Sequence, residues 1–365
     1  MATVYDRVHG DIKLSPLAWT IVHTPEFQRL NDIRQLGLCF LVYPSATHTR
    51  MEHALGVGHL AGQAARHLQS IRPDVIDEDD VLCVEIAGLV HDLGHGPFSH
   101  SFEAYAKRCR EDEEFFAWSH EEAGLRALRY LVETNEIRWS EFFRDSEKNH
   151  MRFVESLVLG MDDEDAWPFE DREESRRCLF DIVHSRGSGL DVDKLDYLAR
   201  DALAVFGANA AINVHRIISA LRLTRGPVPQ VAFDESVAFD LCEIYGMRAR
   251  LHRRVYQHRT VLLLEHTLCE LMQRLDDECL RPGKRLRDRA KTGAGLCQLT
   301  DASVLRLDFL HDSALRPARS TWKILFSERR LKRLAAIVVL HTTPCCDECN
   351  APTRIHDRFC TRCGN

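Results

Sequence analysis

The chain has 365 residues, of which 45% are hydrophobic and 28% are charged, as expected for a globular protein with one large core or two domains. Its net charge of -7 excludes a protein that binds nucleic acid through its overall charge. The first residues lack an apolar signal segment, and the longest late apolar run, 334–340, is too short to span a bilayer. Most of the 13 cysteines stand singly in apolar helical contexts, as do Cys39, Cys83, Cys178 and Cys242. We therefore expect a cytoplasmic or nuclear protein with reduced thiols and no membrane contact.

Helical periodicity dominates the chain and predicts a mainly α fold. Apolar residues recur at three- and four-residue spacing over 54–68, 81–91, 121–132, 150–160, 176–184 and 237–276. The best strand candidates are 38–43 and 230–233. The acidic stretch 162–174 and the basic stretch 281–292 each contain proline and predict exposed loops. For the basic stretch, a solvated surface and a phosphate-binding patch remain open alternatives.

The most informative segment is 90–100, which contains His91, Asp92, His95 and His100. Apolar residues precede it and a Gly/Pro cluster follows, so we expect His91 and Asp92 at the end of a buried helix. Imidazole and carboxylate are the ligands that a hydrolytic metal ion prefers. An isolated His-Asp pair is more often a hydrogen-bonded structural pair, but the burial of three histidines with an aspartate indicates a cation or a reaction. Further ligands must come from elsewhere, and 50–53 and 191–197 supply candidates.

The C-terminal tail differs in kind from the rest of the chain. Two Cys-x-x-Cys pairs match the spacing of a tetrahedral structural zinc site, at Cys346, Cys349, Cys360 and Cys363. Cys345 or His356 could replace one of these ligands. A unit of this size has no core of its own, so zinc would supply its folding free energy.

Longer strings of the sequence resemble the HD-domain deoxynucleoside triphosphate triphosphohydrolases. These strings lie at 8–12, 24–30, 33–37, 52–58, 91–100, 191–201 and 251–258. The resemblance covers about 4–275 well and continues weakly to 334. It implies a mainly α fold with an HD-domain helical core over 1–225 and a helical C-terminal lobe over 226–340. The zinc-ribbon-like tail would then span 341–365.

The resemblance also implies roles for single residues. The metal ligands of the family fall on His53, His91, Asp92 and Asp193. Its proton-handling residues fall on His95, His100 and His120, with Glu103 where the family shows an aspartate. Its triphosphate and sugar contacts fall on Gln35, Leu36, Arg50, Lys194, Tyr197, Asp201, Arg248, Tyr256 and Gln257.

The activity implied by the resemblance is hydrolysis of a deoxynucleoside triphosphate to a deoxynucleoside and inorganic triphosphate. The ion would be iron, manganese or magnesium, or else zinc, and the protein would be a homo-oligomer, dimer or tetramer. One rival is a phosphatase acting on a nucleoside monophosphate or another nucleotide. Another is a nuclease, for which the basic stretch and the zinc ribbon would suit a nucleic-acid substrate. A third is a catalytically silent nucleotide sensor.

Two departures from the animal members of the family concern regulation. Those members carry a sterile-alpha-motif domain, which we do not expect here. They also bind a guanine nucleotide activator, and the acid that reads guanine there corresponds to His23 in this chain, while a basic partner corresponds to Asn31. A neutral imidazole cannot pair with both guanine donors, so we expect activity that does not depend strictly on GTP.

Overall fold

The computed structural model describes residues 3–145, 147–162, 164–208, 212–278, 283, 285–305 and 316–327. Within these ranges the protein is mainly helical, as predicted. The helices are α1 (Pro16–Val22), α2 (Pro25–Gln28), α3 (Arg50–Ile71), α4 (Glu78–Val90), α5 (His100–Ala106), α6 (Glu113–Phe116), α7 (His120–Thr134), α8 (His150–Leu159), α9 (Phe180–Val183), α10 (Val192–Phe206), α11 (Val214–Ser219), α12 (Ala238–Leu251), α13 (Arg259–Glu278), α14 (Leu286–Ala290), α15 (Gly293–Leu296), α16 (Ala302–Leu305) and α17 (Arg316–Trp322). The strands are β1 (Thr3–Asp6), β2 (Gly10–Lys13), β3 (Leu221–Leu223) and β4 (Val231–Phe233), paired as two separate antiparallel hairpins, β1–β2 and β3–β4.

Three helix ends converge on one place in the core. Helix α3 begins at Arg50 after a capping box in which Thr49 and Glu52 exchange hydrogen bonds. Helix α10 begins at Val192 with Asp191 as its N-cap, and α4 ends at Val90, followed by the histidine-rich segment 91–100. Because α4 is buried on nearly all sides, the segment that follows it enters the protein interior rather than solvent.

The later helices pack back onto this core. Helix α13 presents Val261, Leu264, Leu268 and Met272 as fully buried side chains and packs against α5 and α17. Helix α15 packs against α7. The boundary at 225/226 between the HD-domain helical core and the helical C-terminal lobe stays a prediction. The cysteines of the predicted zinc site lie outside the described residues.

Several local predictions were wrong or incomplete. The segment 38–43 is not a strand, because Gly37–Leu41 forms a 3-10 helix. This helix starts at Gly37, which has a positive φ, and it buries Leu38 and Cys39 in the core. The strand predicted at 230–233 is confirmed by β4, whereas β1, β2 and β3 were not predicted. The helical stretch 237–276 is divided by a π-helical turn at His252–Tyr256 into α12 and α13.

The basic stretch is less exposed than predicted, whereas the acidic stretch is mostly an exposed loop, as predicted. In the basic stretch, Leu286–Ala290 is helix α14, and Arg287 Nη1 lies 2.8 Å from Glu111 Oε1. Lys291 Nζ likewise lies 2.8 Å from Asp112 Oδ1, so both cations are engaged within the protein. In the acidic stretch, Phe169 and Arg172 are buried. Cys242, expected in the core, is exposed. Among the described residues, no helix is long and apolar enough to cross a lipid bilayer.

Arg29 ties the histidine-rich segment to the C-terminal part of the chain. Its guanidinium donates to the backbone carbonyls of Leu93 (2.5 Å), His95 (2.8 Å) and Leu299 (2.9 Å). Burial lowers the pKa of Arg29 to about 10, which still leaves it protonated at neutral pH. One buried cation therefore satisfies three buried carbonyl oxygens.

We predict that Arg29→Met lowers the free energy of unfolding by roughly 2–5 kcal/mol, because three buried carbonyls lose their donor. Urea denaturation followed by circular dichroism measures the change. Arg138→Met is the control, since the side chain of Arg138 is 79% exposed, and it should change stability by less than about 0.5 kcal/mol. Equal stability of the two variants would show that Arg29 does not anchor this segment.

Candidate active site

The four residues predicted as metal ligands lie together in the structure. His53 Nε2 lies 3.1 Å from Asp193 Oδ1 and 3.3 Å from Asp92 Oδ2. His91 Nε2 lies 3.5 Å from Asp92 Oδ1 and 3.5 Å from Asp193 Oδ1. His53 stands in the first turn of α3 and Asp193 in the first turn of α10, whereas His91 and Asp92 follow the end of α4.

The two imidazoles are oriented with their Nε2 atoms toward the centre of this group. His53 Nδ1 is hydrogen-bonded to Asp196 Oδ2 at 2.7 Å, and His91 Nδ1 is hydrogen-bonded to the Gly88 carbonyl at 2.8 Å. Both Nε2 atoms are buried and have no hydrogen-bond partner among the described residues. Buried polar atoms normally have a partner, so this donor set fits a divalent ion held between the Nε2 atoms and the two carboxylates.

The carboxylates of the group are held in their charged form. Burial alone would raise the pKa of Asp193, but the close approach of the His53 and His91 imidazoles holds it well below its usual range. Burial would likewise raise the pKa of Asp92, and the neighbouring Arg50 guanidinium lowers it strongly instead. An ionised carboxylate is the form that binds a metal ion.

Close packing at Gly94 brings His95 against the start of α7. A Cβ at Gly94 would lie 1.9 Å from the His120 carbonyl oxygen, so only glycine allows this approach. The rings of His95 and His120 stack with centroids 4.1 Å apart. Glu103 Oε2 lies 3.3 Å from His120 Nδ1 and 3.4 Å from the Nδ1 atom of His100, whose side chain is 70% exposed.

The two stacked histidines have opposite pKa shifts. Burial, with the nearby charge of Arg50, lowers the pKa of His95 well below its usual value. Burial also disfavours charge on His120, but Glu103 outweighs it and raises the pKa of that imidazole. The pKa of Glu103 is lowered, against burial, by hydrogen bonds from His100 and His120. The surroundings therefore favour the neutral form of His95 and the protonated form of His120.

A cavity of about 660 Å³ opens beside these residues. His91, Asp92 and Asp193 line it, whereas His53 and Glu103 are not among its lining residues. All the predicted triphosphate and sugar contacts line it, namely Gln35, Leu36, Arg50, Lys194, Tyr197, Asp201, Arg248, Tyr256 and Gln257. The histidines His95, His100 and His120 line it as well.

Several of these lining residues are already paired with protein groups. Asp201 receives hydrogen bonds from the Tyr256 hydroxyl at 2.5 Å and from His48 Nε2 at 2.7 Å. The Arg50 guanidinium contacts Asp92 and donates to Ser99 Oγ at 2.9 Å. Lys194 Nζ donates to Asp191 Oδ2 at 2.7 Å. Of the three cationic residues that line the cavity among the predicted contacts, Arg50 and Lys194 are thus engaged within the protein.

Arg248 and Gln35 line the cavity, and each has a polar group without a partner among the described residues. Arg248 forms no ion pair with any residue in the described ranges, and its side chain is partly buried. The buried Gln35 Oε1 likewise has no partner there. A cation and an amide oxygen therefore remain available for a bound molecule.

A strained turn lies between the cavity and α5. Phe98 and Ser99 both adopt positive φ, 59° and 56°, which is unfavourable for residues with a side chain. Asp301 holds the turn, because its Oδ1 accepts the Phe98 backbone N–H at 2.6 Å. Burial raises the pKa of Asp301 to about 7. The Ser99 hydroxyl donates to the Arg34 carbonyl at 2.7 Å.

The cavity also contains residues to which the sequence analysis gave no role. Glu265 lines it from α13, and burial raises the pKa of this carboxyl to about 7. The signal in the sequence is a carboxylate directly after the apolar run 262–264. His252 belongs to one of the family-like strings, whereas His184 stands outside them.

Comparison with known proteins identifies the class. The model of the HD domain family matches residues 50–177, which contain His53, His91 and Asp92 but not Asp193. The chain therefore carries an HD domain and belongs to the HD-domain proteins, whose site implies a divalent metal ion.

The chain is also similar over most of its length to proteins named deoxynucleoside triphosphate triphosphohydrolase SAMHD1. It is 37% identical to the Gallus gallus protein over 284 residues, which are 76% of this chain and 46% of the relative. It is 34% identical to the Homo sapiens protein over 337 residues, which are 88% of this chain and 53% of the relative. The chain spans about half the length of these curated relatives.

We predict that Asp193→Asn lowers the metal content by about one ion per chain, because the amide cannot supply the anionic oxygen of the ligand set. Inductively coupled plasma mass spectrometry measures the ion, and circular dichroism checks that the fold persists. Asp240→Asn is the matched control, since the two side chains are 31% and 29% exposed. Unchanged metal content in Asp193→Asn would remove this residue from the ligand set.

Proposed function

We propose that this protein hydrolyses deoxynucleoside triphosphates at the α-phosphorus, giving a deoxynucleoside and inorganic triphosphate. The main support is that three of the four proposed ligands, His91, Asp92 and Asp193, line one cavity with the residues that resemble the family's triphosphate and sugar contacts. The cavity volume of about 660 Å³ is within the range of small-ligand sites. The name shared by these two relatives agrees with this activity.

His53, His91, Asp92 and Asp193 would hold the divalent ion. When bound, such an ion polarises the phosphoryl group and lowers the pKa of water. We propose iron, manganese or magnesium, with zinc as a further candidate, because imidazole and carboxylate suit all of them. Arg50, Lys194 and Arg248 would balance the charge of the triphosphate, and Arg248 is the member without an ion pair among the described residues.

The stacked histidines divide the proton transfers between them. In this proposal, neutral His95, whose Nε2 lies 3.1 Å from Asp92 Oδ1, accepts a proton from the attacking water. Protonated His120, held in that state by Glu103, supplies a proton for the departing 5′-oxygen, and His100 shares the same carboxylate. Opposite pKa shifts in neighbouring groups are typical of an acid-base pair.

The sugar would bind at the other wall of the cavity. The Tyr197 ring would pack against the deoxyribose. Protein groups close to the 2′ carbon would leave no room for the 2′-hydroxyl of a ribonucleotide. Each oxygen of Asp201 keeps a further lone pair for the 3′-hydroxyl, beyond the bonds from Tyr256 and His48. Gln35 Oε1, buried and without a partner among the described residues, is a second acceptor. Leu36 and Gln257 would border the base.

Product analysis tests this function against its rivals. We expect purified protein with each deoxynucleoside triphosphate to release a deoxynucleoside and triphosphate, resolved by ion-exchange chromatography, with much slower reaction of the ribonucleotides. Parallel reactions contain a nucleoside monophosphate and a single-stranded oligonucleotide. Release of inorganic phosphate or of oligonucleotide fragments in place of triphosphate would favour the phosphatase or the nuclease. Binding without products would favour the sensor.

Glu103→Gln tests the acid-base assignment through pH. Because Glu103 raises the pKa of His120, the protonated acid is present below that raised pKa and is lost as pH rises through it. Without the carboxylate the pKa falls, so we expect the alkaline decline of kcat to begin at lower pH. The measurement is kcat against pH at saturating substrate with metal bound. Glu122→Gln, an exposed change in α7, the helix that begins at His120, should keep the wild-type profile. An unchanged profile in Glu103→Gln would rule out this role for Glu103.

Three further parts of the proposal concern the whole protein. We propose that Cys346, Cys349, Cys360 and Cys363 hold a structural zinc ion. We propose a homo-oligomer, dimer or tetramer, as the resemblance implies. We propose the zinc ribbon rather than the basic stretch as the site that would bind nucleic acid, because Arg287 and Lys291 of the basic stretch are engaged in ion pairs.

A further inference from the structure

The deeply buried carboxylate of Asp196 lies directly behind the metal-ligand group. It is three residues after Asp193 in α10, and its side chain is 0% exposed. Its Oδ2 accepts from His53 Nδ1 at 2.7 Å and from Arg200 Nε at 2.9 Å. Its Oδ1 accepts from His9 Nε2 at 2.6 Å and from Arg200 Nη2 at 2.9 Å. Nitrogen atoms thus surround both oxygens.

This arrangement determines which nitrogen of His53 carries the proton. An ionised carboxylate only accepts hydrogen bonds, so His53 must present N–H at Nδ1. In the neutral ring Nε2 then carries the lone pair, and this is the atom that faces Asp92 and Asp193. A neutral imidazole with a free Nε2 is the form that binds a metal ion, and a partner at the other nitrogen selects it.

The N-terminal hairpin holds Asp196 in place. Arg200, which is fully buried, donates from Nη1 to Asp6 Oδ2 at 2.8 Å. Asp6 is the last residue of β1, and its Oδ1 accepts the backbone N–H groups of Val8 and His9 at 2.8 and 2.9 Å. The same aspartate therefore shapes the turn that delivers His9 and anchors the arginine that holds Asp196.

The facing helix leaves room for this carboxylate only because it has glycine at position 56. A Cβ on Gly56 in α3 would lie 1.9 Å from Asp196 Oδ1 and 2.6 Å from Arg200 Nη2. Any larger residue would have to displace the carboxylate from its position between His53 and His9. Gly56 lies one turn of α3 beyond His53, so the metal ligand and the space for its partner are on the same helix face.

We propose that Asp196 and His9 are positioning residues that fix His53 in its metal-binding tautomer, so that metal affinity depends on the N-terminal hairpin although the hairpin supplies no ligand. The inference rests on the proposed function in one respect, the role of His53 as a ligand. His9 acts on the ion through two intervening groups, Asp196 and then His53. Its effect is therefore smaller than that of Asp196 but has the same sign.

The test is the affinity of the full-length apoprotein for Mn²⁺, measured by electron paramagnetic resonance of the free ion. We expect Asp196→Asn to raise the Kd about 10–100-fold, because the amide accepts through one oxygen only and cannot hold both imidazoles in their N–H form. His9→Phe keeps the ring but removes the donor, and we expect a smaller increase. His9→Gln restores an N–H at the position of Nε2 and should return the Kd close to the wild-type value. A wild-type Kd in Asp196→Asn or His9→Phe would overturn the role of that residue.

A matched variant separates positioning from general destabilisation. Glu85 in α4 is also 0% exposed, and it accepts from Arg66 Nη2 at 2.6 Å and from the Ser15 backbone N–H at 2.7 Å. Glu85→Gln removes the same buried charge beside the same helix, α3, but does not contact a metal ligand. We expect Glu85→Gln to lower the free energy of unfolding and to keep the Mn²⁺ affinity. Equal loss of affinity in Glu85→Gln and Asp196→Asn would overturn the proposal.

The outcome is independent of the proposed hydrolysis. Protein that binds Mn²⁺ through His53, with an affinity that falls in Asp196→Asn, but releases no triphosphate would contradict the proposed function and support this inference. Protein that hydrolyses deoxynucleotides to triphosphate and keeps its Mn²⁺ affinity in Asp196→Asn would support the proposed function and contradict this inference. His53→Ala provides the reference for complete loss of the ligand.

Discussion

The buried carboxylate of Asp92 is the group on which the site depends. It contacts the Arg50 guanidinium and lies within 3.5 Å of the Nε2 atoms of His53, His91 and His95. A buried charge is stable only when it is paired, so these residues must be delivered to one place by separate parts of the fold. The convergence of the start of α3 with the end of α4 meets this requirement.

Segments outside the part that matches the HD domain complete the arrangement. Asp193, Asp196 and Tyr256 all follow residue 177, where the match ends, and His9 precedes its start. Asp301 holds the strained turn at Phe98, and Arg29 satisfies the carbonyls of the segment before it. The HD domain thus supplies three of the four proposed ligands, while its surroundings orient them and form the cavity.

The two histidine groups of the site differ in how their protons are controlled. His53 and His91 are oriented by acceptors at Nδ1, which leave Nε2 free for an ion. His95 and His120 differ instead through burial and through the charge of Glu103. In the proposed mechanism, histidine would therefore serve as ligand, base or acid according to the group beside it.

The sequence by itself determined the helical architecture, because apolar periodicity records which face of each helix is buried. It also indicated the proposed metal ligands and the residues around the cavity, through the adjacent His91 and Asp92 and the family-like strings. It misjudged 38–43, since a short apolar run does not distinguish a strand from a buried turn. It also gave no sign that Arg287 would be engaged in an ion pair.

Only the tertiary structure decided the proton positions and the network behind the ligands. His53 and Asp196 are 143 residues apart and His9 and Asp196 are 187 residues apart, so no local pattern relates them. The tautomer of an imidazole and the pKa of a carboxyl depend on distances of a few ångströms and on burial. Those quantities exist only once the helices have packed together.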